Sequence, residues 1–379
     1  MNENVALLPE LKTCPAVFAV GKSYQIMVPV NSDLLFSVTV GGKNYYDHSN
    51  GIVRSSTRLH RVSVPMEALD AAGAYTVNYR KIIDRKPYFP ETEELQSTEY
   101  AFKPLKKTED IHIYHVADTH GKFDFAAAAA SYFGDDLDVL ILNGDIIDHS
   151  GKVENFELIY RLCEAVTHGG LPVIFSRGNH DLRGFCAENL AEYTPTLNGS
   201  SYYSFRLGAL WGIIMDCGED KGDWHEEYGH TVCCHEFREE ETAYLEDVIA
   251  NAGREYAADG VKYRIVVSHV PFCSTDKPPF DIEQPLFTRW MTLLNDNVAP
   301  QVMLAGHNHA TEIGLPGGKY DQKGQTCPVV IGSKPLYGEK RVPLGFIGCA
   351  VTLSEGKMTV VFNDHEQKIL NEETLQIGK

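Results

Sequence analysis

The chain lacks any C-x-x-C pair, any apolar run of membrane-spanning length and any excess of positive charge. Each absence closes off a class of protein. Nine cysteines, an odd number without regular spacing and with Cys233 beside Cys234, make neither a disulfide framework nor a cysteine-based zinc or redox motif. Reduced, mostly buried thiols are expected. No stretch approaches the roughly 18 apolar residues that a membrane span needs. The N-terminal MNENVALLPELKTCPAVFAVGK has no basic leader, and its apolar piece PAVFAV is short for a signal segment. These features predict a soluble, cytoplasmic protein without a membrane partner. Lys and Arg number 34 against 52 Asp and Glu, a formal charge of −18. Such a surface does not attract a polyanion, so nucleic acid is not expected as a partner.

What is present is the composition of a globular chain, 43% apolar and 23% charged. At 379 residues it exceeds what one core organises, which predicts two domains. Residues 20–82 read as short strands, YQIMVPV, LLFSVTVGG, RLHRVSVP and AYTVNYRKI, broken by Asn-Ser, Gly-Gly and Ala-Gly. That spacing predicts a small β-sandwich, immunoglobulin- or fibronectin-like, in which Tyr75 is either a corner tyrosine or a plain core tyrosine. Pro87, Pro90, Pro104 and a Glu-rich piece mark residues 83–107 as a linker. The expected division is 1–107 for the sandwich with its linker and 108–379 for the rest. Beyond residue 107 strands such as IHIYHVAD, LDVLILNGD and LPVIFSRGNH alternate with helices such as FDFAAAAASYF, NFELIYRLCEAV and REEETAYLEDVIANA. This rhythm predicts an α/β fold with a mainly parallel, helix-covered sheet.

Five of the predicted strands end in polar clusters. Asp118-Thr119-His120 follows IYHVA, Gly144-Asp145-Ile146-Ile147-Asp148 follows VLILN, and Gly178-Asn179-His180-Asp181 follows VIFSR. His269 follows IVVS, and Gly306-His307-Asn308-His309 follows VMLA. In an open α/β sheet ligands bind at the carboxyl ends of the strands, so these clusters converge although residues 118 to 309 separate them in sequence. Singly, each has a structural reading: Asn and Gly make turns at strand ends, and Asp caps helices. Asp148 could cap the helix near 154, and His115, inside a strand, reads as a core histidine.

The order D-x-H, G-D-x-x-D, G-N-H-(D/E), H, G-H-x-H over roughly residues 110 to 350 resembles the calcineurin-like metallophosphoesterases. The resemblance implies a four-layer α/β/β/α sandwich, and a β-sandwich ahead of it is similar to the layout of purple acid phosphatases. It implies two divalent transition-metal ions, manganese, iron, zinc or cobalt, bridged by Asp145. Asp118, His120 and His309 would complete one site, and Asn179, His269 and His307 the other. The chemistry suits these residue types: two close cations repel, and a shared carboxylate offers each an oxygen and compensates charge. Imidazole with carboxylate favours transition metals over calcium. The amide of Asn179 keeps the centre about one unit positive, which draws a phosphate.

The reaction so implied is hydrolysis of a phosphoester in a small phosphorylated compound, by in-line attack of hydroxide held on the metals. His180 is the candidate general acid, and the Asp148 carboxylate, or secondarily Asp181, would orient it and raise its pKa. Phosphoprotein phosphatases carry a phosphate-clamping arginine where this chain has His149; Arg177 or Arg183 could replace it. The tyrosine that ligates ferric iron in purple enzymes is missing from the motif. The insert 182–235, with GEDKGDWHEEYGHTVCCHEF, reads as a lid or as a solvated loop. Two alternatives stay open: a phosphodiesterase acting on a cyclic nucleotide or glycerophosphodiester, and a non-catalytic metal-binding scaffold.

Overall fold

The structure, a computed structural model, describes residue 2, residues 5–274 and residues 277–378. Two sheets lie face to face with helices outside them, the α/β/β/α arrangement. The first runs in the order Ile369–Gln376, Lys357–Asp364, Pro343–Ser354, Ile111–Val116, Val139–Asn143, Pro172–Ser176, Ala16–Val20, Ser23–Pro29, Leu59–Pro65. The second runs Tyr203–Leu207, Leu210–Ile214, Tyr263–Val267, Val302–Ala305, Val329–Ile331, Glu312–Gly314. Val139–Asn143 and Pro172–Ser176 are buried at every position, as parallel strands covered on both faces must be.

The pleat divides each strand between two cores. Ile265 and Val267 join the core between the sheets, together with Ile113, Ile141 and Ile174. Val266, between them in sequence, turns the other way with Ile213 and Met303 to meet Trp290, Phe287 and Leu245. Those last residues come from the helices Cys234–Ala250 and Gln284–Leu293. The helices Phe123–Ala130 and Glu157–Thr167 cover the first sheet with Ala126, Ala129, Ile159 and Leu162. Among the described residues no helix is long and apolar enough to cross a membrane. All nine cysteines are free, and all but Cys186 and Cys233 are buried.

The N-terminal region is a β-sandwich built partly from the first of these sheets. Ala16–Val20 pairs in parallel with Pro172–Ser176, Val17 opposite Pro172, so that the first sheet runs across residue 107 without a break. A separate sheet, Gln96–Ala101, Ala74–Asp84, Leu34–Val40, Lys43–Tyr46, closes the sandwich. Part of the expected linker is therefore strand: Gln96–Ala101 pairs with Ala74–Asp84 and buries Tyr100 against Tyr75, ring centroids 5.5 Å apart. Proline and glutamate mark the ends of that segment, while the buried tyrosine inside it decides its conformation. Tyr75 donates its hydroxyl to the carbonyl of Gly169 at 2.8 Å, ninety-four positions on, and so clasps the N-terminal region to the loop after the helix Glu157–Thr167.

Candidate metal centre

Three of the five polar clusters turn away from their strands through left-handed residues. Asp118, His120, Asp145, His307 and His309 have φ of 57°, 45°, 53°, 66° and 47°. Non-glycine residues seldom occupy this region and pay of order 1 kcal/mol to do so, which persists only where surrounding contacts fix them. Here the loops hold one another. The Asp118 amide donates to the Gly144 carbonyl at 3.1 Å, His120 to the Asp145 carbonyl at 2.9 Å, and Gly306 to the His269 carbonyl at 2.9 Å. The amides of His180 and His307 donate to the carboxylates of Asp145 and Asp118, at 2.9 and 3.0 Å.

The glycines of the motifs are spacers. A Cβ on Gly178 would overlap the Asp145 carboxylate and lie 2.5 Å from the Asp145 amide nitrogen; one on Gly306 would lie 2.6 Å from Cβ of Ala117. Only hydrogen at these positions lets three loops reach one centre.

At that centre stands one oxygen. Oδ2 of Asp145 lies 3.3 Å from Nε2 of His269, 3.9 Å from Nε2 of His180 and 4.0 Å from Nε2 of His120. On one side, Asp118, His120 and His309 bring ligand atoms within 4.8 Å of one another, as do Asp118, Asp145 and His269. Nε2 of His309 is 3.0 Å from Nε2 of His120 and 3.4 Å from Oδ1 of Asp118. On the other side, Nδ1 of His307 meets Oδ1 of Asn179 at 3.1 Å, and its ring stands edge-on to His269. All seven residues read from the motifs as ligands thus meet in one place.

The donor set fits a cation. His269 donates Nδ1–H to the Asn143 carbonyl at 2.7 Å, which leaves buried Nε2 facing two carboxylates with no hydrogen-bond partner among the described residues. A lone pair facing carboxylates is repulsive, so either a proton or a metal ion must sit there. Burial alone would lower the pKa of His269, but Asp145 and Asp118 outweigh it and push it up to about 10. His120 and His307 go the other way, burial taking each down to about 4, which leaves neutral imidazoles ready to ligate. Neutral, clustered imidazole nitrogens beside two carboxylates suit transition-metal ions.

His180 sits at the edge of this group, and its Nδ1 contacts Asp148 at 2.8 Å. The contact is to the main-chain carbonyl. The Asp148 carboxylate points instead to Nδ1 of His120, at 3.5 Å, and is largely exposed. The helix near 154 starts beyond Lys152 with no side-chain cap, so Asp148 does not cap it either. Asp181 does not orient His180: it is fully buried and accepts the amides of Gly178 and Asp145, at 2.5 and 3.3 Å, staking the two loops together. Burial and the Asp145 charge push its pKa up to about 7. His115 is a core histidine bonded to Asn143, and His149 is an exposed loop residue whose Nδ1 accepts the Gly151 amide.

Neither arginine proposed as a phosphate clamp is free. Arg177 is ion-paired with Asp216 and lies over the Phe237 ring. Arg183 forks onto Glu219, both contacts 2.9 Å, with Glu227 at 3.1 Å and Asp220 at 3.7 Å; Nη1 also reaches Nε2 of His180 at 3.4 Å. The insert does reach the centre, through a residue the motifs did not mark. Oδ2 of Asp220 lies 3.5 Å from Nε2 of His307, and Tyr228 and Lys221 fix that carboxylate at 2.8 and 2.9 Å. The signal was present as an acid-rich run, GED, but nothing in it told one carboxylate from the next.

A family model described as calcineurin-like phosphoesterase matches residues 111–311, more than half of the chain. The chain belongs to that family. Among solved structures it is similar to a purple acid phosphatase from yellow lupin (Lupinus luteus) seeds, with 12% identity, a TM-score of 0.58 and coverage of 96% of this chain and 74% of the other. It is also similar to PhoD, with 11% identity, a TM-score of 0.51 and coverage of 97% and 90%. At such identities the likeness is one of fold, and in both cases it extends over the N-terminal β-sandwich. No curated protein matches.

Proposed function

We propose that the chain is a phosphoester hydrolase acting on a small phosphorylated compound. The observation that carries this reading is the convergence of His120, His180 and His269, from three different loops, on one oxygen of Asp145. Asp118, His120 and His309 would hold one divalent ion, Asn179, His269 and His307 a second, with Asp145 between them. Two such ions supply positive charge for the phosphoryl oxygens and lower the pKa of a water molecule. Manganese, iron, zinc and cobalt all suit the donors.

The chain's own groups do the rest. His180 donates Nδ1–H to the Asp148 carbonyl, which fixes the ring and leaves Nε2 as the atom that carries and delivers a proton to the departing alkoxide. Nη1 of Arg183, held by Glu219, lies 3.4 Å from that same Nε2 and, since a guanidinium only donates, must give way when the nitrogen takes up its proton. Asn179 contributes a neutral oxygen where a carboxylate would cancel charge that the phosphate needs. Asp181 locks Gly178 and Asp145 and so sets the spacing between the loops.

The test compares a nitrophenyl monoester with a bis-nitrophenyl diester, manganese added, for wild type and His180→Ala. Turnover of the monoester, reduced in the variant most for a poor leaving group, supports the assignment. Preference for the diester would move the reading to a phosphodiesterase. Bound metal with no turnover of either would leave a scaffold.

A further inference from the structure

The candidate centre borders a cavity of about 470 Å³, within the roughly 300–1,000 Å³ usual for sites that take small molecules. His307 and Asp220 line it, and so does Val270, the neighbour of His269. Cavities beside Trp224 and beside Trp211 contain none of the seven candidate ligands. This one is therefore the space in which the rest of a substrate held at the centre would lie. Arg183 ties it to the proton donor: Nη2 lies 3.7 Å from Oδ1 of Asp220, and Nη1 lies 3.4 Å from Nε2 of His180. A single guanidinium separates the cavity lining from the atom that serves the leaving group.

Two aromatic side chains line this cavity, Phe280 and Tyr320. Tyr320 is buried and fixed: its hydroxyl donates to Glu312 at 2.6 Å, and a Cβ on Gly314 would lie 2.8 Å from its Cδ2. Phe280 is 39% exposed. A chain of contacts places it beside the centre. Nζ of Lys221 lies 5.1 Å from the centroid of the Phe280 ring and 2.9 Å from Oδ1 of Asp220, whose Oδ2 is 3.5 Å from Nε2 of His307. A phenyl ring left wet inside a cavity forgoes burial that a second ring would restore, and ring pairs add a preference for stacked or edge-to-face contact.

We infer that this cavity receives an aromatic ring borne by the leaving group of the substrate, packed against Phe280. The inference rests on the hydrolase reading and narrows it to phosphate esters of alcohols that carry a ring, carbocyclic or heterocyclic, a few bonds from the ester oxygen. Phosphates of small polyols would leave Phe280 wet and gain nothing from it.

Three esters of primary alcohols test it with the manganese-loaded proteins: ethyl, cyclohexylmethyl and benzyl phosphate. For wild type the KM of benzyl phosphate should lie about tenfold or more below that of ethyl phosphate, the scale of an aromatic contact. Phe280→Ala should close most of this gap, and Phe280→Tyr, which keeps the ring, should preserve it. No gap in wild type, or one that survives undiminished in Phe280→Ala, would overturn the inference. So would a cyclohexylmethyl ester with the same gap and the same loss, since bulk rather than a ring would then be selected. If wild type turns over none of the three, the hydrolase reading fails separately. Calorimetric titration of benzylphosphonate then decides, equal affinity for wild type and Phe280→Ala telling against Phe280.

Discussion

Nε2 of His307 lies 3.5 Å from Oδ2 of Asp220, while Nδ1 of the same ring meets Oδ1 of Asn179 at 3.1 Å. One face of the imidazole looks into the candidate centre and the other onto a carboxylate delivered by the insert. This is the geometry by which a carboxylate fixes the tautomer of a ligating histidine and raises its basicity. Asp220→Asn should weaken binding of the second metal equivalent about 10- to 100-fold and leave the first nearly unchanged. Isothermal titration with manganese measures both. Equal weakening of the two equivalents would show that Asp220 acts on the loop as a whole.

Gly178→Ala should be far more damaging than its size suggests. The added methyl overlaps the Asp145 carboxylate, and the backbone cannot retreat because Asp181 pins both loops. The variant should fold with nearly full helix and strand content by circular dichroism and bind fewer than two metal equivalents. Full metal content would mean that the loops yield.

Tyr75→Phe removes the hydroxyl that clasps the N-terminal region to Gly169 and leaves a buried carbonyl without its donor. The expected loss is about 1–2 kcal/mol of unfolding free energy in urea. Metal content should not change, since Tyr75 lies in the N-terminal sheet and touches none of the seven donors. An unchanged midpoint would show that the carbonyl finds another donor.

Glu241 is fully buried and accepts the Asp216 amide at 2.8 Å, and burial followed by the Asp216 charge holds its pKa well above the ordinary carboxylate value. The folded protein therefore keeps a proton that the unfolded chain releases. Its contribution to stability is complete below about pH 4.5 and declines as pH rises toward the raised folded value, by up to about 1.4 kcal/mol per pH unit. Glu241→Gln keeps the acceptor without the titration. Its urea midpoint should fall less than that of wild type between pH 5 and pH 7; parallel profiles would refute the assignment.

Much of the site was legible because its chemistry is written in short, rigid motifs. Gly144, Gly178 and Gly306 sit beside their ligands in the sequence as they do in space, since each strand end must turn at once and pass close to its neighbour. Contacts made by side chains across loops were not legible. The Asp148 carboxylate was expected on His180 and is found on His120, because the chain reverses between them and presents the carbonyl instead. Arg177 and Arg183 were candidates for phosphate, but Asp216 and Glu219, from the same insert that holds Arg183, pair with them.

The sequence alone determined the alternation of strands and helices and the polar strand ends, since apolar periodicity and turn residues act over a few positions and do not depend on what lies opposite; the layers and the seven candidate donors came from the resemblance of its motifs to a family. Tertiary structure alone decided that Ala16–Val20 adds to the first sheet and that Asp220 reaches His307. Those outcomes depend on which distant segment fills a given edge or neutralises a given charge. Many segments of similar composition could have done so, and only close packing chose among them.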